Sequence, residues 1–147
     1  MESKIDNRNI NILIVDDNTE FRENVRDIVE LRGFGVVTAA DGIEAVKKTK
    51  ETRPDLIIMD IRMPKMDGVA AFRQIKEISP ETPVILVTAY AGDNVIEGAL
   101  REGVFGLLMN SLILSITLLP ESVLSWSLMI IKTSPRISRT CSMAKVM

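Results

Sequence analysis

The residues in this chain best equipped for chemistry are acidic. Asp16 and Asp17 stand together after one apolar run, Asp60 follows another, and Thr88 ends a third. The 147 residues include no histidine and one cysteine, Cys141. That excludes Ser-His-Asp and Cys-His triads, His-ligated zinc, haem with a proximal His, and a phosphohistidine carried by the chain itself. Carboxylates and a hydroxyl remain. Three carboxylates gathered in one place repel, so either one takes up a proton or a cation sits among them. An all-oxygen cluster with open positions suits Mg²⁺ or Mn²⁺. The plainer alternative is that Asp16 and Asp17 cap a helix and Asp60 opens a loop, since Asp is common at caps and turns.

Whether the carboxylates meet depends on the elements that carry them. Short apolar runs alternate with amphipathic segments at a spacing of roughly 20 residues, the pattern of repeated βα units. Five strands are predicted: Ile10–Val15, Val36–Ala39, Leu56–Met59, Val84–Val87 and Val104–Met109, all rich in Ile, Val and Leu, as strands covered on both faces should be. Phe21, Val25, Ile28 and Val29 recur at helical spacing, as do Val69, Phe72 and Ile75, and Val95, Ala99 and Leu100. Asp41 with Glu44 three residues on reads as a capped helix start, and Pro80 ends the third helix. The order βαβαβαβαβ with right-handed crossovers gives an α/β fold, a flavodoxin-like, doubly wound, five-stranded parallel sheet. Ligand sites in such sheets lie outside the carboxyl ends of the strands, near the point where strand order reverses. Asp16, Asp17, Asp60 and Thr88 are all predicted at that edge.

The composition, 46% apolar and 26% charged, is enough for one core in a domain of this length. A single cysteine cannot form an internal disulfide, and Met1 to Arg8 lack both the apolar stretch of a signal peptide and the bias of a transit peptide. A cytoplasmic location is expected. The net charge of −2 argues against the basic footprint of a nucleic-acid binder.

These motifs, in this order, resemble the receiver domain of two-component response regulators. The resemblance runs over about residues 10 to 109 and rests on Asp16-Asp17, on Asp60, on Met63-Pro64-Lys65-Met66-Asp67-Gly68, and on Thr88-Ala89. It implies that Asp60 attacks the phosphorus of a phosphohistidine on a sensor histidine kinase or phosphotransfer protein, giving an acyl phosphate. It implies Mg²⁺ held by Asp17, Asp60 and the backbone carbonyl of Arg62, with Asp16 acting through water. Thr88 would donate its hydroxyl to a phosphoryl oxygen, Ala89 would leave room for the incoming group, and Arg62 and Tyr90 would line the mouth of the site. Pro64 and Gly68 would shape the neighbouring loop, Gly also permitting unusual backbone angles.

The likeness stops after the fifth strand. Where the family has Lys-Pro, this chain has Asn110-Ser111, and Leu107 stands where many relatives have a switching Tyr or Phe. Asn has no charge to offer a phosphate. Composition shifts at the same place: the net charge is −5 before residue 110 and +3 from there on, eight of ten serines lie in the last 38 residues, and no glycine follows Gly106. The stretch from Leu112 to Pro120 has no helical polar face, so the last helix is expected to be atypical or missing. A change of reading frame near codon 110 would produce all of this together; a genuine divergent tail is the alternative. The expected organisation is an extension over 1–9, a receiver domain over 10–122 with 110–122 atypical, and a disordered or frame-shifted tail over 123–147. Gly103 to Pro120 is an uncharged run just reaching the length of a membrane helix, but its first residues are needed for strand five, so membrane insertion is the weaker reading.

The expected function is a phosphoacceptor in a two-component phosphorelay, not an enzyme in its own right. One rival is a switch-defective receiver fold acting as a non-signalling interaction module, because of Asn110. Another is a magnesium-dependent phosphatase, disfavoured because Arg62 stands where such enzymes tend to carry a second acid.

Overall fold

In the computed structural model the described residues are 10–88, 98, 101–104 and 106–109, with backbone alone at 88 and 106–109. The elements are β1 (Asn11–Val15), α1 (Thr19–Leu31), β2 (Gly35–Ala39), α2 (Gly42–Thr52), β3 (Leu56–Asp60), α3 (Gly68–Ile78), β4 (Val84–Thr88) and β5 (Gly106–Met109). All neighbouring strands are parallel, in the order β2-β1-β3-β4-β5. The predicted doubly wound sheet is therefore present. The helix predicted around Val95, Ala99 and Leu100 lies outside the described residues.

Alternation along each strand decides which helices it meets. Leu13, Val15, Ile57, Met59, Val84 and Leu86 form one cluster with Ala45 and Val46 of α2 and with Val69, Ala71, Phe72 and Ile75 of α3. Ile12, Ile14, Ile85 and Val87 form the other with Val25 of α1, against which Phe21 and Val29 also pack. Each fully buried Ile or Leu contributes about 1.5–3 kcal/mol relative to an exposed one, so both faces of the sheet are held covered. The chain runs from β1 outward to β2 and back across to β3. The strand ends flanking that reversal are those of β1 and β3.

Strand limits differ from the predicted ones at three points that matter. β3 includes Asp60 as its last residue, so that carboxylate is held by the ladder, opposite Val87. β4 likewise extends one residue, to Thr88. β5 begins at Gly106 rather than Val104; Gly103 takes φ +89°, and Val104 is buried in the core ahead of the strand.

The capped start of α2 has the predicted form. Asp41 accepts from the Glu44 amide at 2.8 Å, and Glu44 reaches back to the amide of Ala40 at 2.8 Å. Both carboxyls are held below the usual range, Asp41 mainly by the Glu44 amide and Glu44 mainly by the Ala40 amide. α3 stops at Ile78, with Ser79 as its cap, immediately before Pro80.

Candidate functional site

At the reversal point the ends of β1 and β3 bring Asp16, Asp17 and Asp60 together, each offering a carboxylate oxygen within 4.8 Å of the others. Asp16 is buried, Asp60 half-buried and Asp17 exposed. The exposed Asp17 opens the cluster to solvent on one side.

Asp16 is the most constrained of the three. Its amide donates to the Ala39 carbonyl at 3.2 Å, and its Oδ1 accepts from the Asn18 amide at 2.8 Å. Burial pushes its pKa up to about 6; the Asn18 amide opposes the rise, and the negative charges of Asp60 and Asp17 add to it. The Asp60 pKa is also raised, first by burial and then by Asp17, against the opposing amides of Arg62 and Ile61. Both shifts record negative charge held in poor solvation. Hard oxygen donors in such a state fit a small divalent cation, which would relieve the repulsion.

The alternative in which Asp16 and Asp17 merely cap α1 is corrected by the structure. The cap is Asn18, whose Oδ1 accepts from the Phe21 amide at 3.0 Å. With a neighbour doing that work, both carboxylates are released to the site. Missed from sequence altogether was Arg22, whose guanidinium donates to the Asp16 carbonyl at 2.6 Å. A cation in the first turn of a helix opposes the dipole, and that anomaly was the available signal.

The loop after Asp60 is built by local bonds. The Gly68 amide donates to the Ile61 carbonyl at 2.8 Å and the Met66 amide to the Pro64 carbonyl at 2.8 Å. Gly68 is required because a Cβ there would collide with the Asp60 carbonyl and the Ile61 Cα. Its expected unusual backbone angles are not the reason, since positive φ falls on Lys65 instead, at 67°. Lys65 reaches Asp41 at 3.4 Å, tying the loop to the start of α2. Asp67 caps α3 by accepting from the Ala70 amide at 2.8 Å.

Arg62 follows the site by two residues, its amide 3.4 Å from Asp60 Oδ1. Thr88 ends β4 one residue beyond the partner of Asp60, and Leu107 lies opposite Leu86 in β5. The expectations for the side chains of Thr88 and Leu107, and those for Ala89, Tyr90 and Asn110, fall outside what is described.

The family model for the response regulator receiver domain matches residues 12–112. The chain belongs to that family. Among curated relatives, this receiver domain is 42% identical over 93 residues to the chemotaxis protein CheY of Bacillus subtilis, covering 63% of this chain and 78% of that one. It is 42% identical over 94 residues to the regulatory protein AtoC of Escherichia coli, covering 64% of this chain but 20% of AtoC. That likeness carries nothing about the other four-fifths of AtoC. Among solved structures, it resembles the response regulator domain of Thermotoga maritima CheB, with 38% identity, a TM-score of 0.62, and 68% of this chain and 77% of that one covered. It also resembles a CheX-CheY-BeF3-Mg²⁺ complex from Borrelia burgdorferi, with 34% identity, a TM-score of 0.65, and coverage of 69% and 78%. The protein is thus a receiver domain of the two-component type, homologous to CheY and to response regulators. No helix among the described residues is long and apolar enough to cross a membrane.

Proposed function

We propose that the receiver domain accepts a phosphoryl group on Asp60 from a phosphohistidine of a sensor kinase or phosphotransfer protein. The observation that carries this reading is the convergence of Asp16, Asp17 and Asp60 within 4.8 Å at the strand-order reversal. Asp17, Asp60 and the Arg62 carbonyl would hold Mg²⁺, or Mn²⁺ in its place, with Asp16 acting through water. Bound there, the cation would neutralise charge on the phosphoryl oxygens, which is where phosphoryl transfer most needs help.

The chain's own residues do the rest. β3 holds Asp60 at a fixed height, so one carboxylate oxygen is presented to the incoming phosphorus. An O–P bond forms as the P–N bond of the donor breaks, and the electron pair returns to the donor imidazole. Thr88 would donate its hydroxyl to a phosphoryl oxygen, and Ala89 would leave room for it; Arg62 and Tyr90 would border the mouth. The chain assists its own phosphorylation and dephosphorylation in this reading. The likeness to the CheX-CheY-BeF3-Mg²⁺ complex supports it, since that structure contains a CheY with Mg²⁺ and BeF3.

The limits 10–122, with an extension before and a tail after, belong to the same proposal, as does a cytoplasmic location. The switch-defective alternative gains nothing over it. Intact-mass measurement after incubation with Mg²⁺ and acetyl phosphate should show one added phosphoryl group in the parent and none in Asp60→Ala. Equal labelling of the two proteins would overturn the assignment.

A further inference from the structure

Arg22 stands in the first turn of α1, where the positive end of the helix dipole disfavours a cation. Its Nη1 donates to the Asp16 carbonyl at 2.6 Å, and its Nη2 lies 3.5 Å from the Thr19 hydroxyl. The Asp16 amide is engaged by Ala39 and its Oδ1 by Asn18. The carbonyl is thus the third group of this residue to be fixed, and it belongs to the peptide that joins Asp16 to Asp17.

We infer that Arg22 is a positioning residue for the metal site: its bond to the Asp16 carbonyl sets the direction in which Asp16 and Asp17 leave β1. The inference rests on the phosphoacceptor reading. Two effects of Arg22 on a divalent cation have opposite signs. Its positive charge repels the ion, so as a bare charge its removal should tighten binding. As a positioning bond, it holds the donors in place before the ion arrives, so its removal should loosen binding. The hydrogen bond is direct and short and fixes one geometry, whereas the charge sits on a partly exposed guanidinium and is weakened by salt. Positioning prevails.

Mn²⁺ alone is a suitable probe, followed by the electron paramagnetic resonance of the free ion, with Asp17→Asn marking site-specific uptake. Arg22→Met should weaken binding about tenfold, the scale of one hydrogen bond. Arg22→Lys, which still reaches and donates, should recover most of the loss. Arg22→Gln, polar but too short for the carbonyl, should weaken binding in the same sense and is the gentler test should the Met variant fail to fold. Thermal unfolding in EDTA separates a merely structural role, which would lower the melting temperature and leave the affinity of the folded protein unchanged. Unchanged or tighter Mn²⁺ binding in folded Arg22→Met or Arg22→Gln overturns the inference alone. A parent that takes up no Mn²⁺, or an Asp17→Asn that binds as well as the parent, overturns the phosphoacceptor reading and this inference with it.

Discussion

Asp16 shows what the site costs the fold when no cation is present. Its carboxyl is shifted from 3.8 to about 6 by burial and by neighbouring negative charge. A pKa that is higher in the folded state favours folding while the group is protonated, and that contribution is lost as pH rises through the folded value. The metal-free protein should therefore lose stability between pH 4 and pH 7, by up to about 3 kcal/mol from this group. Asp16→Asn keeps an oxygen for the Asn18 amide and cannot ionise. In EDTA it should match the parent near pH 4 and melt higher at pH 8, as thermal unfolding at both values would reveal. A parent melting as high as the variant at pH 8 would show that the carboxylate is solvated after all.

The elements around the site are joined where the backbones come closest. Gly68 starts α3 so close to the Asp60 carbonyl that a Cβ would collide with it, which couples the position of the helix to that of Asp60. Gly68→Ala should lower stability by about 1–3 kcal/mol, the usual cost of forcing extra atoms into a packed contact. It should also slow labelling by acetyl phosphate. Normal labelling in a destabilised variant would show that α3 moves away without disturbing Asp60. At α2, Glu44 accepts from the Ala40 amide and pairs with Lys48 at 3.0 Å. Its carboxyl is held low, so its contribution is present at neutral pH and fades as pH falls below the ordinary Glu range. Glu44→Ala should cost about 1 kcal/mol at pH 7, in the range typical of a lost cap, and less at pH 3. Denaturant unfolding at the two pH values tests this.

For the molecule as a whole, a cation that binds only the folded state must stabilise it. At a concentration one hundred times its dissociation constant, Mg²⁺ should add about 2.7 kcal/mol. For a domain of this size that corresponds to a rise in melting temperature of roughly 10 °C. Asp17→Asn should show little of that rise, and a comparable shift in parent and variant would move the ion elsewhere. The segment after Met109 sets a separate test. Asn110→Lys would supply the charge that the family places beside the phosphoryl group, a contact worth about 1.5–3 kcal/mol when well formed. It should enlarge the phosphorylation-dependent spectral change more than the labelling rate. Should a one-base shift near codon 110 restore Lys-Pro and an amphipathic helix, the segment is the product of a frame change.

Much of this protein could be read from local sequence. Asp41 with Glu44 and Pro80 after α3 report on bonds within a few residues of themselves, which do not depend on the rest of the chain. The five apolar runs announce strands by composition although their ladder partners lie far away in sequence. The order of those elements then placed Asp16, Asp17 and Asp60 at one edge, because parallel βα units admit few arrangements. What the tertiary structure decided were contacts between groups that sequence spacing does not pair. Arg22 turns back to the end of β1, and Lys65 takes the left-handed backbone and reaches Asp41, 24 residues away in sequence. The choice of Asn18 over either aspartate as the α1 cap is local, but three adjacent candidates left it open. Gly68 is demanded by the approach of the Asp60 carbonyl at the end of β3, a closeness that appears only once the loop between them folds back. The high pKa of Asp16 is of the same kind, since burial and the charge of Asp60 exist only once β1 and β3 lie side by side.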